Sequence, residues 1–228
     1  MPIDDIHHIV SQNSWFASLP QNLAALLLEK GKIKVLEDRQ VLHQKNDPAD
    51  GFYCVLSGKI RISNFTMEGK ELVLTWIQPG NWFGEISLLD NQPRTHYAHA
   101  QQTTRLFKIS KSTFEQLFIK HSEWSQHIMR LLCQRVRATF SLIDETGCLS
   151  LKGQLCKRLS LMHQGLEEQQ SPCMELTISQ DALAQLIHSS RQTVNKILQG
   201  LQTDKVIALR YGKIMVLNKI RLAELGQI

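Results

Sequence analysis

The chain has 228 residues, 43% of them apolar, and a formal net charge of +5. That length and apolar content suit two packed domains, and the apolar runs are too short for a membrane span. Five scattered cysteines, never closer than eight residues apart, argue against the clustered ligands of zinc or iron–sulfur sites and fit reduced thiols.

The start, MPIDDIHHIV, is acidic and lacks the basic-then-apolar order of a secretory signal, so a cytoplasmic protein with no membrane partner is expected. His7 and His8 fall in a terminus expected to be mobile. A helical pattern covers Asn22 to Glu29. From ~30 to ~110 the chain reads as short β-branched or aromatic runs, among them KIKVLE, GFYCVLSGKIRIS, ELVLTWIQPG and TTRLFKIS. Turn signals at Asn46-Asp47-Pro48, Ser57-Gly58, Glu68-Gly69 and Pro79-Gly80 separate them. That rhythm predicts an antiparallel sandwich or barrel.

From ~111 to ~145 there is no Gly or Pro, and Trp124, Ile128, Leu131, Leu132, Val136, Leu142 and Ile143 recur at helical spacing. One long amphipathic helix is predicted, its stripe interrupted by Arg135 and Arg137. The simplest cover for such a stripe is a second copy of the helix, which predicts a homodimer.

The last third is the basic part: residues 150–228 carry 10 basic and 6 acidic side chains, against 16 and 15 before them. A basic excess there suggests an anionic partner. One helix covers Leu151–Met162, a second follows Ser179, and a third follows Ser190, with both serines as N-caps. VIALR and IMVLN around YGK predict a β-hairpin. Two short helices, a tight turn and a following hairpin form a winged helix-turn-helix. Leu183, Leu186, Ile187, Val194, Ile197, Leu198 and Leu201 supply its buried side, leaving Arg191, Gln192, Asn195 and Lys196 on the other. Arg can pair with guanine and Gln with adenine in the major groove. Lys196, Lys205 and Lys213 suit phosphates, as does the helix start at Ser190.

One stretch of the β-region stands out: GNWFGEISLLDNQPRTHYAHA, Gly80 to Ala100. It sets one acid, Glu85, and one arginine, Arg94, in an otherwise apolar segment. Two readings compete. An internal Glu85–Arg94 ion pair would be structurally near-neutral. A small-ligand site would use Arg94 and Thr95 for a phosphate, Glu85 for a sugar hydroxyl, and Gly84 for close backbone approach.

On the residues FGEISLLDNQPRT, with YCVLSGKIRI and MEGKELVLTWIQPGNWFGE before them, the segment resembles the phosphate-binding cassette of cyclic-nucleotide-binding domains. SSRQTVNKILQGLQ and VIALRYGKIMVL resemble the winged helix-turn-helix of the same bacterial superfamily. With both motifs in order, the chain from ~20 to ~220 resembles the catabolite activator (cyclic-AMP receptor)/FNR family of transcription regulators. The resemblance implies an α+β chain. Residues 1–120 would be a double-stranded β-helix (jelly-roll) effector domain of cyclic-nucleotide-binding type, 121–147 a dimerisation helix, and 148–228 a winged helix-turn-helix. It assigns Glu85 to a ribose hydroxyl, Arg94 and Thr95 to a cyclic phosphate, Gly84 and Ile86 to backbone contacts, and Thr139 to the adenine. It implies a homodimer on a pseudo-palindromic operator in double-stranded DNA, an effector such as cyclic AMP or another cyclic nucleotide, and RNA polymerase as a further partner.

Three residues depart from the family pattern. His96 follows Pro-Arg-Thr where a small residue is usual, Phe140 replaces a serine after Thr139, and His188 takes the place of the turn glycine. His96 and His99 would point to opposite strand faces, so no shared metal is expected. No nucleophile-and-base arrangement is evident, so the chain is not expected to be an enzyme. The alternative within the family is a regulator that answers to a different effector, or to none.

Overall fold

The structure, a computed structural model, describes residues 3–69, 71–168, 175–210 and 212–227. Cys173 and Tyr211 of the sequence analysis lie outside the described residues. The chain divides into two compact units, 1–135 and 136–228.

In the first unit, helices α1 (Ile3–Val10), α2 (Ser14–Ala17) and α3 (Gln21–Lys30) precede the sheets. His7 and His8, expected in a mobile terminus, fall within α1. Ile6 and Val10 on one face of α1 are buried, while His7 and His8 sit on its exposed side. Apolar burial on one helical face is what holds so short a helix.

The strands are β1 (Lys32–Leu36), β2 (Val41–His43), β3 (Gly51–Ser57), β4 (Ile60–Phe65), β5 (Glu71–Ile77), β6 (Trp82–Phe83), β7 (Tyr97–Ala100) and β8 (Thr104–Ser110), with helix α4 (Ile86–Leu89) before β7. They form two four-stranded antiparallel sheets, ordered β1-β8-β3-β6 and β2-β7-β4-β5. This is the expected jelly-roll-like arrangement.

Strand β3 explains how the unit is layered. Its run GFYCVL is buried on both faces, and period-2 alternation sorts it into two cores. Tyr53 and Val55 join Leu36, Ile60, Phe83, Ala98, Ala100 and Leu106. Phe52, Cys54 and Leu56 join the helices, in a cluster with Trp15, Phe16, Trp82, Phe107, Phe114 and Trp124. Trp15, Phe52 and Trp82 pack with ring centroids 4.8 to 5.7 Å apart. The Trp15 indole N–H donates to the His127 carbonyl at 2.7 Å, which satisfies its one polar atom.

The predicted single long helix is two: α5 (Lys111–Lys120) and α6 (Trp124–Cys148). His121 ends α5 in extended conformation, and a short turn lets Trp124 restart the helix inside the aromatic cluster. Trp124, Ile128 and Leu131 of α6 are buried, whereas Met129, Val136, Phe140 and Ile143 are exposed.

In the second unit α7 (Leu151–Glu168) follows α6, then β9 (Glu175–Thr177), α8 (Gln180–Leu186), α9 (Arg191–Thr203), β10 (Ile207–Arg210), β11 (Lys213–Val216) and α10 (Lys219–Leu225). The hairpin gains a third strand, in the order β10-β11-β9. Leu155, Leu159, Leu183, Val194, Leu198, Leu201, Ile207 and Leu222 are in its core. Among the described residues no helix is long and apolar enough to cross a membrane.

Candidate functional site

The Gly80–Ala100 stretch folds back on strand β3. After β6 the chain turns at Gly84, whose φ is +95°. Glycine is required there twice over. The left-handed backbone disfavours a side chain, and a Cβ would lie 2.9 Å from Arg94 Nη1 and 3.2 Å from the Gly51 carbonyl. Glu85 then opens α4 and Ile86 is half-exposed on its first turn.

Glu85 and Arg94 are both buried, at 2% and 3% exposure, yet they are not paired with each other. The internal Glu85–Arg94 ion pair considered from sequence is replaced by two separate arrangements. Arg94 donates from Nη1 to the Gly84 carbonyl (2.8 Å), and from Nη2 to the Gly51 carbonyl (2.8 Å) and Asp50 Oδ1 (3.3 Å). Its backbone is clamped as well: Arg94 N–H donates to the Asp47 carbonyl and Asn46 N–H to the Arg94 carbonyl, each at 2.8 Å. Glu85 instead accepts from Arg135 Nε at 3.1 Å, and Arg135 Nη2 donates to the Trp82 carbonyl. Arg135 thus enters the site from α6.

Asp50 is a hub. It accepts from Lys108 Nζ (2.7 Å) and Tyr53 Oη (2.6 Å) besides Arg94. Burial alone would raise its carboxyl, but the hydrogen bonds from Lys108, Tyr53 and Arg94 outweigh it and bring the pKa down to about 2. The anion that holds Arg94 is therefore ionised at any ordinary pH.

After this pairing, one polar atom on each of the two charged side chains stays buried with no hydrogen-bond partner, Arg94 Nε and Glu85 Oε2. A buried donor or acceptor left unmade costs about 1–3 kcal/mol, and more for a charged group. Orphans on two charged side chains ten residues or fewer apart mark the place where an added polar group would be best received.

Thr95 is exposed, and its hydroxyl hydrogen-bonds His96 Nδ1 at 2.8 Å. Burial, and then Lys45, lower the His96 pKa, so the ring is neutral near pH 7. Thr139 lies on α6 one helical turn beyond Arg135, beside the exposed Phe140, in the second unit.

The helix-turn-helix forms at the residues expected. Ser179 Oγ accepts from Ala182 N–H and Ser190 Oγ from Thr193 N–H, each at 3.1 Å. His188 stands in the turn with φ of 49°, a strain that His tolerates better than most residues. Leu183, Ile187, Val194, Leu198 and Leu201 are buried, with Leu186 and Ile197 partly so. Ser190, Arg191, Gln192 and Lys196 are exposed on the far side of α9.

Three details differ from the simple picture. Asn195 is half-buried and accepts from Gln180 Nε2 at 3.2 Å, so it is not a freely exposed contact. Arg191 lies 3.6 Å from Asp181 of α8, an exposed pair of the kind worth little. Lys213, expected to meet phosphate, is drawn to Glu175 of β9 at 2.6 Å, as is Arg210 at 3.2 Å.

Two functional candidates were missed from sequence. Arg135 appeared only as a break in an apolar helix stripe, which was its signal. Asp50 lay in a turn-rich stretch, NDPADG, where an acid looks like turn chemistry. A cleft of about 270 Å³ lined by Ser160, His163, Lys219 and Ile220 lies in the second unit, apart from both sets of residues.

Comparison with known proteins agrees with this geometry. The cyclic nucleotide-binding domain family matches residues 33–121 and the Crp-like helix-turn-helix domain family matches residues 153–225. A "CRP-like cAMP-activated global transcriptional regulator" of Mycobacterium tuberculosis is 27% identical over 206 residues, covering 90% of this chain and 92% of that one. A "Global nitrogen regulator" of Synechococcus elongatus is 24% identical over 197 residues, covering 85% and 89%. Among solved structures, FixK2 of Bradyrhizobium japonicum superposes with a TM-score of 0.75 at 17% identity, covering 87% of this chain and 98% of that one. Both domain matches, in this order, span most of the chain, with the cassette inside the first and the α8–α9 pair inside the second: the chain belongs to the Crp/Fnr family of transcription regulators, and is an effector-responsive DNA-binding protein.

Proposed function

We propose that the protein is a homodimeric regulator whose DNA affinity is set by a cyclic nucleotide, cyclic AMP being the first candidate. One observation carries the effector reading: Arg94 Nε and Glu85 Oε2 are buried and unpartnered beside a glycine that no side chain can replace. Arg94 with Thr95 would hold the cyclic phosphate, Glu85 the ribose hydroxyl, Gly84 and Ile86 would offer backbone groups, and Thr139 would meet the base. The M. tuberculosis relative is named as cAMP-activated, which supports the same effector class here.

For the dimer, Met129, Val136 and Ile143 repeat every seven residues on α6 and are all exposed. A seven-residue apolar repeat is the pattern of a two-helix seam. Effector binding beside α6 would favour one spacing of two DNA-binding units, with α9 of each copy in successive major grooves about 34 Å apart on a pseudo-palindromic site. Ser190, Arg191, Gln192 and Lys196 are the proposed contacts, with Asn195 in support. By resemblance RNA polymerase is the further partner. The protein acts in the cytoplasm by binding, not by catalysis. Its functional division is 1–120, 121–147 and 148–228.

A second reading has its own support. Phe140 stands where the family has serine, the Thr95 hydroxyl is engaged by His96, and Arg94 is held by Asp50. These favour an effector other than cyclic AMP. Calorimetric titration of cyclic AMP and cyclic GMP into the full chain, with Arg94→Ala as control, tests both. Micromolar binding lost in the variant supports the first reading. Absence of binding by the wild type favours the second.

A further inference from the structure

Another buried, unpartnered polar atom of the first unit is Nδ1 of His43, whose ring feels the charge of Arg94. Its position follows from an irregularity in the sheet. Strand β2 pairs Val41 with His99 and His43 with Ala98, so the intervening Leu42 is a bulge. A bulge changes the side on which the next residue emerges. Val41 faces out opposite His99 and is exposed, whereas His43 emerges on the side of Ala98, which is fully buried between the sheets. The residues that follow His43 lead straight to the cassette. Gln44 N–H donates to Asp47 Oδ2, Asn46 N–H to the Arg94 carbonyl, and Arg94 N–H to the Asp47 carbonyl.

We propose that His43 is a further effector-binding side chain, whose ring nitrogen hydrogen-bonds the anionic group received by Arg94. The proposal rests on the cyclic-nucleotide reading and deepens it: the anion is met from two sides, by a guanidinium and by a neutral imidazole.

Electrostatics agree with the geometry. Burial first, and the Arg94 charge second, lower His43 to about 4, with Asp50, the Gln44 backbone and Asp47 pulling the other way. A neutral ring beside a cation lets both serve one anion without repelling each other. Binding an anion would screen Arg94 and place a negative charge by the ring, so the His43 pKa rises in the complex. A fraction of a proton is then taken up on binding, and affinity increases as pH falls toward 5. The His96 pKa is also lowered, by burial and then by Lys45, so the wild-type difference from a His43 variant is the quantity to read.

The test uses the full chain and cyclic AMP, titrated calorimetrically in two buffers of different ionisation enthalpy. His43→Phe keeps an aromatic ring and removes both nitrogens. His43→Asn keeps an amide N–H near the position of Nδ1. His43→Phe is expected to lose about ten-fold or more in affinity and part of the proton uptake, with His43→Asn within a few-fold of wild type. Equal affinity and proton uptake in wild type and His43→Phe would overturn the role of His43 while leaving the cyclic-nucleotide reading intact. Equal losses in both variants would show packing rather than hydrogen bonding and would overturn it as well. If the wild type binds neither cyclic AMP nor cyclic GMP, the underlying reading fails and the inference fails with it.

Discussion

The cassette and the recognition helix both rest on an arginine, and they hold it in opposite ways. Arg94 is almost fully buried, with two carbonyls, a carboxylate and a clamped backbone around it. Arg191 is two-thirds exposed, with the exposed Asp181 3.6 Å away. The first arrangement suits a small ligand that must be met by fixed, desolvated groups, since low dielectric strengthens each contact. The second suits a long polyanion read in solution, where the side chain must adapt to a base edge and ordering it is part of binding. Substitution at Arg94 therefore disturbs the fold and the ligand together, whereas substitution at Arg191 disturbs binding alone.

The largest expected break lies beneath the cassette rather than in it. Trp82 is fully buried, packs on Trp15, Phe16 and Phe52, and its carbonyl receives Arg135. Trp82→Ala should cost about 3–5 kcal/mol, as large-to-small changes at buried aromatics do. Thermal unfolding monitored by circular dichroism would show the first unit melting early. An unchanged midpoint would mean the aromatic cluster does not support the cassette.

Next comes Arg94→Ala. It removes one of the three side-chain donors to Asp50, and the Gly84 and Gly51 carbonyls lose their donor. Stability should fall by a few kcal/mol, typical of breaking a buried charged network, and cyclic-nucleotide binding should vanish. The paired control is Arg191→Ala, which should leave the melting midpoint within about 1 °C. Its cost should be about 1–3 kcal/mol of DNA affinity, with relaxed preference at one base pair. Fluorescence anisotropy on a selected operator and on single-base variants of it measures both. Equal thermal effects of the two substitutions would erase the contrast.

A smaller effect is pH-dependent and belongs to the first unit. His43 has its folded pKa lowered to about 4 from an ordinary 6.5. The unfolded chain takes up the proton first, so the stability it contributes is present above about 6.5 and is lost as pH falls toward 4. His96, His99 and His127 are lowered too, chiefly by burial, and act with the same sign. Asp50 contributes only in a more acidic window, between about 4 and its value near 2. The melting temperature of the wild type should thus decline from pH 6.5 to 4, and less steeply in His43→Phe. Parallel curves would show that His43 is already solvated.

What could be read from sequence follows the range of each interaction. Ser179 and Ser190 as caps, the turn at His188, the buried side of α8–α9 and the hairpin all depend on residues within about four positions of each other, and all formed as expected. The β3 run was legible as a strand, whereas its burial on both faces was not. Helices α1 and α2 were not legible, because eight and four residues carry too little periodicity, and their buried side chains pack with strands and helices far along the chain. The break between α5 and α6 was missed for a related reason: the apolar stripe continues across it, and tertiary packing of Trp124 decides where the helix restarts. In the cassette, the two charged residues were legible but their partners were not. Glu85 meets Arg135 fifty residues on, and Arg94 meets Asp50 forty-four residues back. The first pairing is made by the placement of α6 and the second by sheet topology, and a pattern within one segment holds no trace of either.

The smallest expected effect sharpens the comparison at the recognition helix. Asp181 and Arg191 are both about two-thirds exposed and 3.6 Å apart. Such a pair contributes little to stability, so Asp181→Asn should leave unfolding unchanged. On DNA the two residues part company. Arg191 must turn to a base edge or phosphate, and Asp181 is left as a negative charge near a polyanion. Removing that charge should tighten DNA binding two- to five-fold at low salt, with the gain shrinking as salt screens it. Relative affinity among operator variants should not change, because Asp181 repels phosphates and reads no base. Anisotropy titrations at two salt concentrations measure this. A loss of affinity, or a change in base preference, would mean instead that Asp181 orients Arg191 for recognition, and that the exposed arginine is held as firmly as the buried one.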